Sequence, residues 1–118
     1  MSKLKNLITE YRNVFSKAKP TYEGEIINIT ECKEESFIEI TKSVECISIY
    51  AGIDYAGYDF EGEIEYFTTI KGKYLNGNQN AEMSMSFRNI DPSDLMEIID
   101  QFRDQFVGIV NFRNNLEQ

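Results

Sequence analysis

Apolar residues recur at helical spacing near both ends of the chain and at alternate positions in between. Leu4, Leu7, Ile8, Tyr11 and Phe15 fall at i, i+3, i+4, i+7 and i+11, the stripe of one amphipathic helix. The spacing predicts a helix over residues 2–19. Ser2 caps its start, Lys17 and Lys19 suit the negative end of its dipole, and Pro20 stops it. A second, wider stripe runs through Leu95, Ile98, Ile99, Phe102, Phe106, Ile109 and Val110. It predicts a helix over 92–113, opened by Asp91 as N-cap, Pro92 at the first helical position and Asp94 in the first turn. Gly108 inside it costs about 1 kcal/mol relative to Ala, which suggests a close packing contact.

Between the helices the period is two. Segments 22–31, 36–41, 44–51, 59–71 and 81–88 read as strands. Cys32 to Glu35 connects the first pair, Lys42-Ser43 turns the second, with one long bent strand over 36–51 as the rival, and a Gly- and Tyr-rich loop spans 52–58. Asn76-Gly77 marks the clearest hairpin turn, within 74–80, because this dipeptide tolerates positive φ. The order α-β-β-β-β-β-α over 118 residues predicts one α+β domain. An antiparallel sheet of four to five strands is flanked by an N-terminal and a C-terminal helix, with one face covered and one solvated. Ile27, Ile29, Ile64, Met85, Phe87, Ile98, Phe102 and Ile109 are expected in the core. Met83, Met85 and Phe87 share the face that looks toward a helix. Exposed apolar residues near Phe112 and Leu116 leave room for a homodimer seam.

Charge changes this picture. The net charge is −8, but residues 1–20 carry +4 and residues 21–70 carry twelve acids against two bases, a net −10. In Asp59-Phe60-Glu61-Gly62-Glu63-Ile64-Glu65 acids alternate with other residues. As a strand this places Asp59, Glu61, Glu63 and Glu65 on one face, with neighbours about 6.7 Å apart, and Phe60, Ile64 and Tyr66 on the other. Such a carboxylate row resembles a row of phosphates. It suits a partner whose Lys and Arg residues collect phosphates, and disfavours direct nucleic acid binding. The tyrosines of Ile53-Asp54-Tyr55-Ala56-Gly57-Tyr58 supply anchors beside it.

Candidate chemistry is sparse. The chain has no His, no phosphate-binding glycine loop and no paired-cysteine motif. Asp54, Asp59, Glu61 and Glu63 are candidate oxygen ligands for a hard cation, but they lack calcium-loop spacing. Glu31-Cys32-Lys33 echoes a nuclease Glu-x-Lys triplet, yet no Asp precedes it. No cofactor or metal is expected. Cys32 and Cys46 are expected as free thiols in a reducing cytoplasm, and no long apolar run signals a leader or membrane span.

The expected function is non-enzymatic: an acidic binding protein that inhibits or neutralises a basic, nucleic-acid-binding protein such as a nuclease. Its partner-binding residues are Asp54, Tyr55, Tyr58, Asp59, Glu61, Glu63 and Glu65. In size and charge alone the chain resembles small acidic phage-encoded inhibitors and bacterial immunity proteins. The alternatives are an acidic dimeric chaperone or adaptor and a small-ligand-binding α+β domain.

Overall fold

The computed structural model describes residues 3–31 and 37–116. Helix α1 (Lys3–Ser16) is followed by strands β1 (Ile26–Glu31), β2 (Phe37–Val44), β3 (Ile47–Tyr58), β4 (Ile64–Asn76) and β5 (Gln79–Arg88), and then by helix α2 (Pro92–Leu116). All neighbouring strands are antiparallel, and their order in the sheet is their order in the chain. This is the α+β architecture expected from the sequence. The Ser2 cap, Cys32 and the Cys32–Glu35 connection lie outside the described residues. No helix among the described residues is long and apolar enough to cross a membrane.

Register explains which face is buried. Ile40 pairs with Ala51, Ala51 with Ile70, and Ile70 with Met85, so these side chains share one face of the sheet. Both helices lie on that face. Ile38, Ile49, Ile53 and Tyr66 from the sheet join Tyr11 and Phe15 of α1 and Leu95, Ile99, Phe102, Phe106 and Val110 of α2 in one core. Alternation along each strand assigns the face; packing decides the close approaches. A Cβ on Gly72 would stand 2.8 Å from the Phe106 ring, so glycine lets α2 settle onto β4. Gly108, by contrast, faces open space and makes no close contact.

The helices divide the length of the sheet between them. At one end of β4, Lys3 Nζ donates to the Gly62 carbonyl at 2.9 Å. At the other end, Arg113 of α2 donates to the Asn80 carbonyl at 2.5 Å and Asn114 donates to the Tyr74 hydroxyl at 3.3 Å. The molecule is accordingly long, 56 × 28 × 23 Å, with a radius of gyration of 15.8 Å, against about 13.5 Å for a compact domain of this length. Where the helices meet, the Tyr11 and Tyr66 hydroxyls both donate to the Ile90 carbonyl, at 2.5 and 2.6 Å. Burial raises both phenols above their ordinary value, Tyr11 furthest, with Tyr66 reinforcing the effect there.

A buried ionic cluster ties the β1–β2 side of the sheet to α2. Glu25, Lys42 and Arg103 are all buried. Lys42 Nζ lies 3.5 Å from Glu25 Oε1 and 3.4 Å from Asp100 Oδ1, and Arg103 Nη1 lies 3.1 Å from Glu25 Oε2. The Arg103 guanidinium also sits 5.3 Å from the Tyr22 ring centroid, and the Thr21 amide donates to Glu25 at 3.0 Å. Buried charges persist when paired in this way. Lys42 was expected in a turn. The turn is instead Glu45-Cys46, where Glu45 has φ 52°. Val44 pairs with Ile47 across it, which carries Lys42 into β2 and onto the helix side.

Four further expectations need correction. The segment 52–58 is strand, not loop, and 59–63 is turn, not strand. Ile29, Met85 and Ile109 are exposed, and Ile27, Ile64, Phe87 and Ile98 are only half-buried; of the expected core residues Phe102 alone is fully buried. Ile27 and Ile29 lie on β1 and Met85 and Phe87 on β5, the two edge strands, where the sheet reaches past the helices. The hairpin at Asn76-Gly77 is as expected, with Gly77 at φ 63° and Asn76 paired to Gln79.

Candidate functional site

The β3–β4 hairpin carries the candidate residues, and it divides them among three places. Asp54 and Glu65 project from the face of the sheet away from the helices, since Asp54 pairs with Phe67 and Glu65 alternates with buried Tyr66. Glu65 is engaged there by Arg88. Tyr55 lies on the helix side, beside Leu4 and Ile8 of α1. Residues three apart in a regular strand point to opposite faces, but the register shifts between Tyr55 and Gly57. This bulge brings Tyr58 to the same side as Tyr55, and the two rings meet edge to face with centroids 5.8 Å apart. Partial burial raises the Tyr55 phenol above its ordinary value, and neighbouring Tyr58 adds to the shift.

Asp59, Glu61 and Glu63 form the turn itself. The Gly62 amide donates to the Asp59 carbonyl at 3.1 Å, the bond of a four-residue turn, and Gly62 has φ 79°. Asp59 Oδ1 accepts from the amides of both Glu61 and Glu63 at 2.9 Å. The Asp59 amide in turn donates to the Glu63 carbonyl at 2.8 Å. Asp59 is thus a capping residue whose carboxylate is committed to the backbone. Glu63 stands 3.3 Å from Lys3 Nζ. The row of four carboxylates on one strand face does not exist. Asp-x-x-Gly already encodes a turn, with Asp favoured at its first position and Gly at its fourth, and that signal outweighs the alternation of charge.

Sequence reasoning placed Phe60 on the apolar face with Ile64 and Tyr66. The structure places it at the apex of the turn, fully exposed. Its chain neighbours Asp59, Glu61 and Glu63 are acidic, with Asp59 bonded to the turn amides and Glu63 3.3 Å from Lys3 Nζ. The hairpin tip therefore combines one bare aromatic ring, an acidic local sequence and a backbone held by four hydrogen bonds. The wider −10 block is dispersed: Glu25 is buried with Lys42 and Arg103, and Glu31 is paired with Arg12, whose guanidinium holds the Glu31 carboxyl below its ordinary value.

Elsewhere, an open cleft of about 760 Å³ lies between the end of α1 and the start of α2, lined by Lys17, Lys19, Lys42, Ser93, Met96 and Asp100 among others. Among the described residues no three acidic or cysteine side chains converge as a metal site. Cys46 is a free thiol. No family model, curated protein or solved structure matches the chain.

Proposed function

We propose that the protein is a non-enzymatic binding protein that engages a basic protein partner through the tip of the β3–β4 hairpin. One observation carries this reading: Phe60 stands fully exposed at the apex of a hydrogen-bonded turn whose other side chains are acidic. Exposure of the ring contributes nothing to folding, whereas its burial against a partner would contribute about 1.5–3 kcal/mol. Aromatic anchors with a charged rim are what protein interfaces use, and carboxylates steer a basic partner toward the tip. Tyr55 and Tyr58 extend the anchor along the helix side, and Asp54 and Glu61 add charge. The reading rests on an anchor and its charge, not on an even row imitating phosphates. A basic, nucleic-acid-binding effector in the cytoplasm is the partner class that charge favours, and neutralising it by occupancy is the proposed role.

The test is affinity capture from the native host with the wild type and with a Phe60→Ser, Glu61→Ser, Glu63→Ser variant. Asp59 and Glu65 stay intact because they hold the turn and Arg88. The wild type should retain a basic protein, release it as salt is raised through about 0.1 to 1 M, and lose it in the variant. Capture of the same basic protein by both would remove the tip from the function.

A further inference from the structure

We propose that the outer edge of β5 is the seat of a second copy of this chain, paired antiparallel about a two-fold axis through Met85. Among the described residues β5 has one strand neighbour, β4. Its outer row of N–H and C=O groups is therefore a template for another strand. The residues along it are self-complementary in one register. With Met85 opposite the partner's Met85, Met83 falls opposite the partner's Phe87, Ser84 opposite the partner's Ser86, and Glu82 opposite the partner's Arg88. Apolar residues meet on the helix side, hydroxyls and opposite charges on the other. A one-residue slip would set helix-side residues against open-side ones. A two-residue slip would lose both Glu–Arg pairs.

Charges within the chain extend the match. Lys73 stands 3.8 Å from Glu82, and Arg88 is paired with Glu65. Across the seam the open face would read Lys73, Glu82, the partner's Arg88, the partner's Glu65, alternating in sign throughout. On the helix side the seam removes solvent from Met85, which is 42% exposed in the single chain although it faces the core side of the sheet. The neighbouring flank of α2 is apolar too. Ile98, Ile109, Phe112 and Leu116 lie on the flank opposite Asp100 and Arg103, and the last three are 53%, 65% and 70% exposed. Two strand spacings of about 4.8 Å separate α2 from the axis, so the two flanks wall the methionine-lined seam from either side. This interface is distinct from the hairpin tip, and either can hold without the other.

Sedimentation equilibrium of the full chain should give twice the 13.7 kDa chain mass. Arg88→Glu and Glu82→Arg, each alone, set like charges opposite one another twice and should weaken self-association at least tenfold. Mixed in equal amounts they restore both opposite-charge pairs across the seam, and the heterodimer should form at least tenfold more tightly than either homodimer. Circular dichroism checks that these exposed substitutions leave the fold intact. With Cys32 and Cys46 changed to Ser, Met85→Cys should oxidise to a covalent dimer, because directly opposed cross-strand residues lie within disulfide reach. Met83→Cys alone should not. A wild type that stays at the single-chain mass at high micromolar concentration overturns the proposal. So does a dimer in which Arg88→Glu is without effect, or in which Met83→Cys crosslinks to itself and Met85→Cys does not.

Discussion

Glu25 holds two cations in the interior, and its removal tests the cluster directly. Glu25→Ala leaves Lys42 and Arg103 buried without their shared carboxylate, and stability should fall by about 3–5 kcal/mol, read as the shift in urea midpoint at constant slope. A loss within about 1 kcal/mol, the range of an exposed pair, would mean water reaches the cluster. The tyrosine pair gives a pH prediction of known sign. Tyr11 and Tyr66 have folded values raised above the unfolded one by burial. Their contribution is complete below the ordinary phenol value, about 10, and is lost as pH rises above it, because the unfolded state ionises and the folded state resists. Stability should therefore decline above pH 10, and Tyr66→Phe should flatten that decline while costing the hydrogen bond to Ile90. An equal alkaline slope in both proteins would disprove the assignment. At the acid end Glu31 works in the opposite sense. Its lowered folded value stabilises above the ordinary carboxylate range, and the benefit disappears as pH falls through that value.

Helices and hairpins differ in how far their residues announce them. The stripes of α1 and α2, the Asp91-Pro92 start and the Asn76-Gly77 turn are local patterns, and each was legible. The β3–β4 hairpin was displaced by several residues because Gly52, Gly57 and Tyr58 look like loop residues. In the fold Gly52 lies under the Tyr50 ring, whose hydroxyl donates to Glu39 at 2.7 Å, and Gly57 follows a bulge. The acids of 59–65 satisfied a strand's alternation and a turn's side-chain bonds equally well on paper. Only the committed Asp59 carboxylate separates the two. Burial at the edge strands is not legible in the sequence, since alternation reports a face and not whether anything covers it. Gly72 carries no local signal either: its partner Phe106 is remote in sequence. Gly72→Ala should cost about 1–3 kcal/mol through overpacking against that ring, measured by thermal unfolding. Gly108→Ala, with open space around it, should stabilise by up to about 1 kcal/mol. Equal effects at the two sites would contradict the packing described.

On the scale of the whole molecule the charge that looked like one acidic sheet proves to be three separate uses of carboxylate: an interior cluster, an internal pairing along the surface, and a tip. No feature of the linear sequence reports that division, because it depends on which bases fold back to meet which acids. The meander has a further consequence, in time. Each strand pairs with the strand beside it in the chain, so the sheet can zip up by short loops. Helix α1 is the exception. Its Tyr11 hydroxyl closes on the Ile90 carbonyl, 79 residues away, and its apolar stripe has nothing complete to rest on until β4 and the start of α2 exist. On the ribosome, α1 emerges before the sheet it packs on and docks near the end. Phe15→Ala should then mainly accelerate unfolding and leave the refolding rate nearly unchanged, as stopped-flow kinetics would show; slowed refolding would place α1 in the nucleus instead. Until that closure the nascent chain carries an amphipathic helix whose Lys3 and Arg12 have yet to meet Glu63 and Glu31, the carboxylates they pair with in the fold.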